Sequence, residues 1–89
     1  MSDDSVNRIR VQIYGTEYAL RGRESIEHLR AVAQYVDEVM RGIASTNPQL
    51  DQKRVAVLAA VNIADQLKKL SAQYEELLDL LDDKTNSTK

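Results

Sequence analysis

The sequence predicts an α+β fold: an N-terminal β-hairpin, an amphipathic helix, and a long C-terminal helix that carries a coiled-coil seam. Three patterns point to it. Apolar and polar residues alternate with a period of two between Ile9 and Leu20. A 3.6-period stripe runs through Ile26, Leu29, Ala33, Val36, Met40 and Ile43. Ala60, Ile63, Leu67, Leu70, Tyr74, Leu77 and Leu81 then fall at alternating gaps of three and four. These are the signatures of half-buried strands, a one-sided helix and a heptad seam, in that order.

In the first strand Ile9, Val11 and Ile13 point one way and Arg8, Arg10 and Gln12 the other. Gly15-Thr16 is expected to form a two-residue type II′ turn, after which Tyr18 and Leu20 repeat the alternation up to Gly22. A lone hairpin is marginal in water, so its apolar face needs a helix or another hairpin. Ser25 is the expected N-cap of the first helix, with Glu27 near the positive helix end; Val32 and Val39 widen its stripe, and it should end near Ala44. Ser45 to Gln49 reads as a loop around Pro48. Asp51 caps the second helix, with Leu50 placed as a staple against Val55. Nothing interrupts the helical pattern from Gln52 to about Asp83, a rod of roughly 45–50 Å. Residues 1–5 and 84–89 are polar and read as flexible ends.

The second helix has two characters. Val55 to Val61 is apolar nearly all round and demands burial. Farther on, the positions flanking the seam hold Ala64, Gln66, Ser71, Gln73, Leu78 and Leu80, none of them charged. Two-stranded coils usually keep Glu or Lys there, so the wide apolar face predicts a dimer that pairs again into a tetramer. Self-association is also what a chain of 89 residues without Phe, Trp or Cys needs, because its own core is small.

Chemistry is sparse. The only histidine, His28, has no cysteine to join it. Acid pairs such as Asp37/Glu38 and Glu75/Glu76 are sequence neighbours, so on a helix they point about 100° apart. Gly15, Gly22 and Gly42 are isolated. The expectation is a protein without enzymatic activity or cofactor. A net charge of −2 with no basic block argues against nucleic acid, and a helix-turn-helix reading fails for want of a basic recognition helix. The opening MSDDSVNRIR lacks the apolar core of a signal peptide, and no apolar run approaches the roughly 20 residues of a membrane span. A cytoplasmic location, without membrane insertion, is therefore expected. What remains for partners is Arg8, Arg10, Arg21 and Arg23, four arginines and no lysine on one hairpin, which suits an acidic protein surface. Asn62, inside the apolar stretch, is either the exposed side of that helix, a register-fixing polar group or a docking point.

The hairpin VQIYGTEYALRG, the helix IEHLRAVAQYVDEVMRGI, the NPQLD loop and above all VAVLAAVNIADQLKKL resemble the ZapA family of bacterial division proteins. The resemblance covers about Val11 to Tyr74. It implies a ββα head (residues 6–60) followed by a coiled-coil oligomerisation helix (61–83), forming homodimers and homotetramers. It also implies binding to FtsZ, bundling of its protofilaments, and promotion of Z-ring assembly at the midcell division site. Carried onto this chain, the FtsZ-binding residues would be Arg10, Arg21, Arg23, Arg41 and Asn62. One departure is Glu38-Val39 ahead of Met40, where shorter relatives tend to carry Lys. The alternative function is a coiled-coil adaptor or chaperone subunit with another client.

Overall fold

The computed structural model describes residues 5–86, with side chains to residue 82. Four elements follow in order: β1 (Asn7–Ile13), β2 (Thr16–Gly22), α1 (Ile26–Thr46) and α2 (Gln52–Asn86). The expected hairpin and two helices are all present. α2 continues three residues beyond the expected end at Asp83, while 1–4 and 87–89 of the expected flexible ends lie outside the described residues. The chain divides into two compact units, Met1–Ala59 and Ala60–Lys89.

β1 and β2 pair antiparallel from Asn7↔Gly22 to Ile13↔Thr16. The loop between them is Tyr14-Gly15, one residue earlier than expected. Both residues have positive φ, 52° and 83°. Two left-handed residues make a type I′ turn and correct the type II′ reading, and only the second of them is the glycine that tolerates this geometry freely. Tyr14 in that conformation carries strain of about 1–3 kcal/mol. Its amide compensates by donating to the Asp37 carboxylate at 2.7 Å.

The alternation directs Ile9, Val11 and Ile13 toward α1. Ile9 and Val11 join Leu29 and Ala33 in one cluster, with Ile13 and Leu20 packed against it. A second cluster, Met40, Val55 and Ala59, draws in Tyr14, Val36, Val39, Ile43, Ala44 and Leu50. Here the first turns of α2 meet the end of α1, and Val55 is 0% exposed. The near-continuous apolar stretch that opens α2 is thus explained on one side only, since Val57, Leu58 and Val61 stay exposed. Ile26 and Val32, expected in the α1 stripe, are also exposed. A two-stranded sheet is too narrow to cover them, as α1 packs chiefly on β1.

Caps form where the sequence placed them. Ser25 Oγ accepts the His28 amide at 3.0 Å, and Asp51 Oδ1 accepts the Arg54 amide at 2.9 Å. α1 ends two residues later than expected: Asn47 closes it, donating through Nδ2 to the Ile43 carbonyl. Its own carbonyl accepts the Leu50 amide across Pro48-Gln49, so the helix-to-helix link is one tight turn. Leu50, the expected staple, packs against the cluster that holds Val55.

Met40 is the one long flexible side chain fully inside the second cluster. Met40→Ala should lower unfolding free energy by about 2–5 kcal/mol in urea titrations at fixed protein concentration. A loss under about 1 kcal/mol, the range of ordinary surface changes, would show that this cluster is not a packed core.

Candidate partner-binding surface

Strand parity decides which residues the hairpin shows to solvent. Arg8, Arg10 and Gln12 of β1 point away from α1, and the register places Arg21, Ala19 and Glu17 of β2 opposite them on the same face. Arg10 Nη1 reaches diagonally to Glu17 Oε2 at 3.3 Å. With side chains 79% and 53% exposed, that pair is worth about 0–1 kcal/mol. Arg8 stands directly across from Arg21, and among the described residues neither makes an ion pair. Arg23 follows one residue past the end of β2 and is exposed. A shallow hollow of about 270 Å³ opens over Ala19, lined by Arg8, Ile9 and Arg10.

Arg41 belongs to a different place. It sits on α1, at the turn end of the hairpin and behind the inner face of the sheet. Its Nε donates to both Asp37 oxygens, at 3.1 and 3.0 Å, and its guanidinium lies 5.9 Å from the Tyr14 ring centroid. Asp37 therefore joins the hairpin turn to α1 through Tyr14 and holds Arg41 four residues on. Arg21 pairs with Arg8, six residues before Tyr14, a strand length of about 20 Å. Arg21 thus stands at the end of the sheet far from the turn, Arg10 at mid-strand on the same face and Arg23 just beyond β2, while Arg41 lies at the turn end. Sequence reasoning missed Asp37 and Tyr14 as a coupled pair. The i, i+4 spacing of Asp37 and Arg41 was the available signal.

Asn62 is exposed on α2, beyond the stretch that packs into the head core. Of the seam residues, Ile63 is half-buried, while Ala60, Leu67, Leu70, Tyr74, Leu77 and Leu81 are exposed. Leu67 and Leu70 are 63% and 64% exposed, and Leu78 and Leu80 widen the same apolar surface. Lys69 and Asp65 form an i, i+4 ion pair at 3.0 Å. Another hollow, of about 450 Å³, opens beside the start of α2, walled by Leu50, Asp51, Lys53, Arg54, Val57 and Leu58. Its floor is mostly apolar, and Asp51 on its wall is the residue whose Oδ1 accepts the Arg54 amide. Among the described residues no group of three or more His, Cys, Asp or Glu could hold a metal ion. No helix among them is long and apolar enough to cross a membrane.

The family model described as cell division protein ZapA matches residues 9–89. The chain belongs to the ZapA family. It is 44% identical over 77 residues to the cell division protein ZapA of Geobacillus thermodenitrificans (strain NG80-2), covering 86% of this chain and 85% of that one. The ZapA of Bacillus pumilus (strain SAFR-032) is 46% identical over 77 residues, with 86% and 91% covered. A solved structure described as a ZapA mutant dimer from Geobacillus stearothermophilus superposes with a TM-score of 0.73 at 40% identity, covering 91% of this chain and 94% of that one. Membership in the ZapA family gives the chain a role in cell division.

The Asp37 carboxyl is held below the ordinary carboxylate pKa, first by the Tyr14 amide and then by Arg41. The folded state thus binds a proton less readily than the unfolded chain. Asp37 contributes its stabilisation fully above the ordinary value of about 3.9 and loses it as pH falls through the lower folded value. Thermal melts of the protein and of Asp37→Asn should differ by a constant amount from pH 7 to pH 5. The gap should narrow below pH 4. A gap unchanged down to pH 3 would mean that the carboxylate charge contributes nothing to holding the turn.

Proposed function

We propose that this protein is a non-enzymatic cross-linker of FtsZ protofilaments, acting in the cytoplasm at the midcell division site to bundle filaments and promote Z-ring assembly. The observation that carries the reading is the apolar face of α2. Leu67, Leu70, Tyr74 and Leu77 are all more than half exposed, and the positions beside them along the seam, Gln66, Ser71, Gln73 and Leu78, carry no charge. A surface of this extent on a small protein marks an interaction site. Further copies of the chain are its natural cover, first as a homodimer and then as a homotetramer through the wide seam. The Geobacillus stearothermophilus relative, described as a dimer, supports the first step. Exposed Val57 and Leu58, on the wall of the apolar groove, give the head unit a surface that a second copy would also cover.

The partner is inferred from the ZapA resemblance, and the arginine-bearing hairpin supplies chemistry suited to an acidic protein. An oligomer presents two or more identical heads. Each weak contact then raises the effective concentration of the next, so filaments bearing many sites are bundled by contacts that are individually micromolar. Arg10, Arg21 and Arg23 would act on the hairpin face. Arg41 and Asn62 are the further proposed contacts, Arg41 also serving the Asp37 latch.

Mixed with FtsZ and GTP, the protein should increase polymer pelleting, and electron micrographs should show laterally associated filaments. Leu70→Glu places a charge in the seam; it should shift light-scattering mass toward smaller species and reduce bundling more than binding. A folded variant that stays monomeric yet bundles as well as the parent would rule out cross-linking. Absence of any pelleting with FtsZ would favour an adaptor with another client. Separately, Arg21→Ala and Asn62→Ala should weaken pelleting with FtsZ while leaving helicity and oligomer mass intact. Arg41→Ala should also lower the melting temperature, because it removes one of the two groups that hold Asp37.

A further inference from the structure

Like charges directly opposite one another on a sheet face are destabilising, and the hairpin nonetheless places Arg8 opposite Arg21. The turn makes the opposition close. A two-residue loop closes on a hydrogen-bonded pair, here Ile13 and Thr16, and the two classes of pair alternate along an antiparallel ladder. Arg8 and Arg21 therefore fall at a non-hydrogen-bonded position, where side chains stand nearest. No carboxylate among the described residues relieves them, since Glu17 is committed to Arg10. Next to them, the small side chain of Ala19 leaves the hollow lined by Arg8 and Arg10. Arg8 and Arg21, both exposed, thus set like charges face to face, with Arg8 also lining the hollow.

We infer that Arg8 and Arg21 form a clamp for a short carboxylate-rich protein segment lying across the outer face of the hairpin. One carboxylate bridges the two guanidinium forks, and a second enters the hollow over Ala19 beside Arg10. Charge decides the class of partner. Residues 7–23 carry a net charge of +3 within a chain of −2, so the attraction is local. The basic stretch is short and is bounded by Glu17 toward the turn. An extended duplex or an anionic bilayer would meet the Glu17 carboxylate along with the arginines. A peptide with two or three acidic side chains fits between them, and planar bidentate recognition of carboxylate is what arginine provides. This inference rests on the reading of the hairpin as a partner-binding face. It adds Arg8 as the anchor and names the chemistry recognised.

The test uses the full chain and a fluorescently labelled Glu-rich decapeptide, titrated by anisotropy at low ionic strength, with pelleting on FtsZ polymer run in parallel. Arg8→Gln and Arg21→Gln should each weaken peptide binding roughly tenfold, the loss expected for a charge-assisted bond. The double variant should lose little more than either single one, because both side chains serve one carboxylate. Lys69→Gln, the same change of net charge on α2, should stay within about twofold, as screened long-range charge predicts. The melting temperature of Arg8→Gln should hold or rise by about 1–5 °C as the cross-strand repulsion is relieved. Weaker binding without loss of stability separates a recognition role from a structural one. Undiminished binding in both single variants overturns the clamp, as does an equal loss in Lys69→Gln, a lowered melting temperature, or wild-type protein that binds anionic vesicles or duplex DNA but not the peptide. Failure of the wild type to pellet with FtsZ would retire that partner and leave the clamp to the peptide titration. Pelleting by the wild type with undiminished peptide binding in the variants would retire the clamp alone.

Discussion

The hydrogen bond from the Tyr14 amide to the Asp37 carboxylate governs the head of this protein. A type I′ turn needs left-handed backbone at both central residues, and a tyrosine resists it. Asp37, 23 residues away on α1, meets that amide at 2.7 Å, and Arg41 steadies the carboxylate from the next turn of the helix. The turn position fixes the strand register, and the register fixes which side chains face each other. The outward arginine face is consequently held in place by an interaction on the other side of the sheet.

That dependence explains what could and could not be read from the chain. Periodicity revealed the hairpin, both helices, the Ser25 and Asp51 caps and the seam, because each is a repeating local pattern or a residue type tied to one position. Periodicity is blind to a register shift of two. Placing the turn at Gly15-Thr16 keeps Ile9, Val11, Ile13, Tyr18 and Leu20 on the inner face just as Tyr14-Gly15 does, yet it would set Arg10, not Arg8, across from Arg21. The long-range Asp37 contact, made by the Tyr14 amide within the observed turn, is not part of any such period. In the same way Arg41 looks like one more surface cation until the helix brings it onto Asp37. Ile26 and Val32 belong to the apolar stripe of α1 by spacing, and stay exposed because two strands are not wide enough to cover a full helical face. Arg10 and Arg21 were legible as outward residues from parity alone. The opposition of Arg8 and Arg21 was not.

The core itself is thin. Among the described residues its buried members are Ile9, Val11, Leu29, Ala33, Met40, Val55 and Ala59, two of them alanines and none aromatic. Two of the seven come from α2, so the head borrows the opening turns of the helix that continues onward with its leucines exposed. Small domains of this kind gain only a few kcal/mol from their own packing. The distribution of apolar residues, more of them outside than inside, is consistent with a chain whose remaining burial comes from association.

The bare leucines of α2 also bear on the lifetime of the protein. If copies cover one another's leucines, the fraction of chain that is covered rises faster than linearly with the amount made, since every covered face requires an encounter. A newly made or surplus copy shows Leu67, Leu70, Leu77 and Leu80 to whatever surveys the cell for unfolded chains. Scarcity would then be self-reinforcing: a cell with few copies would clear each of them sooner. Abundance, and not sequence alone, would set a floor below which the protein ceases to accumulate.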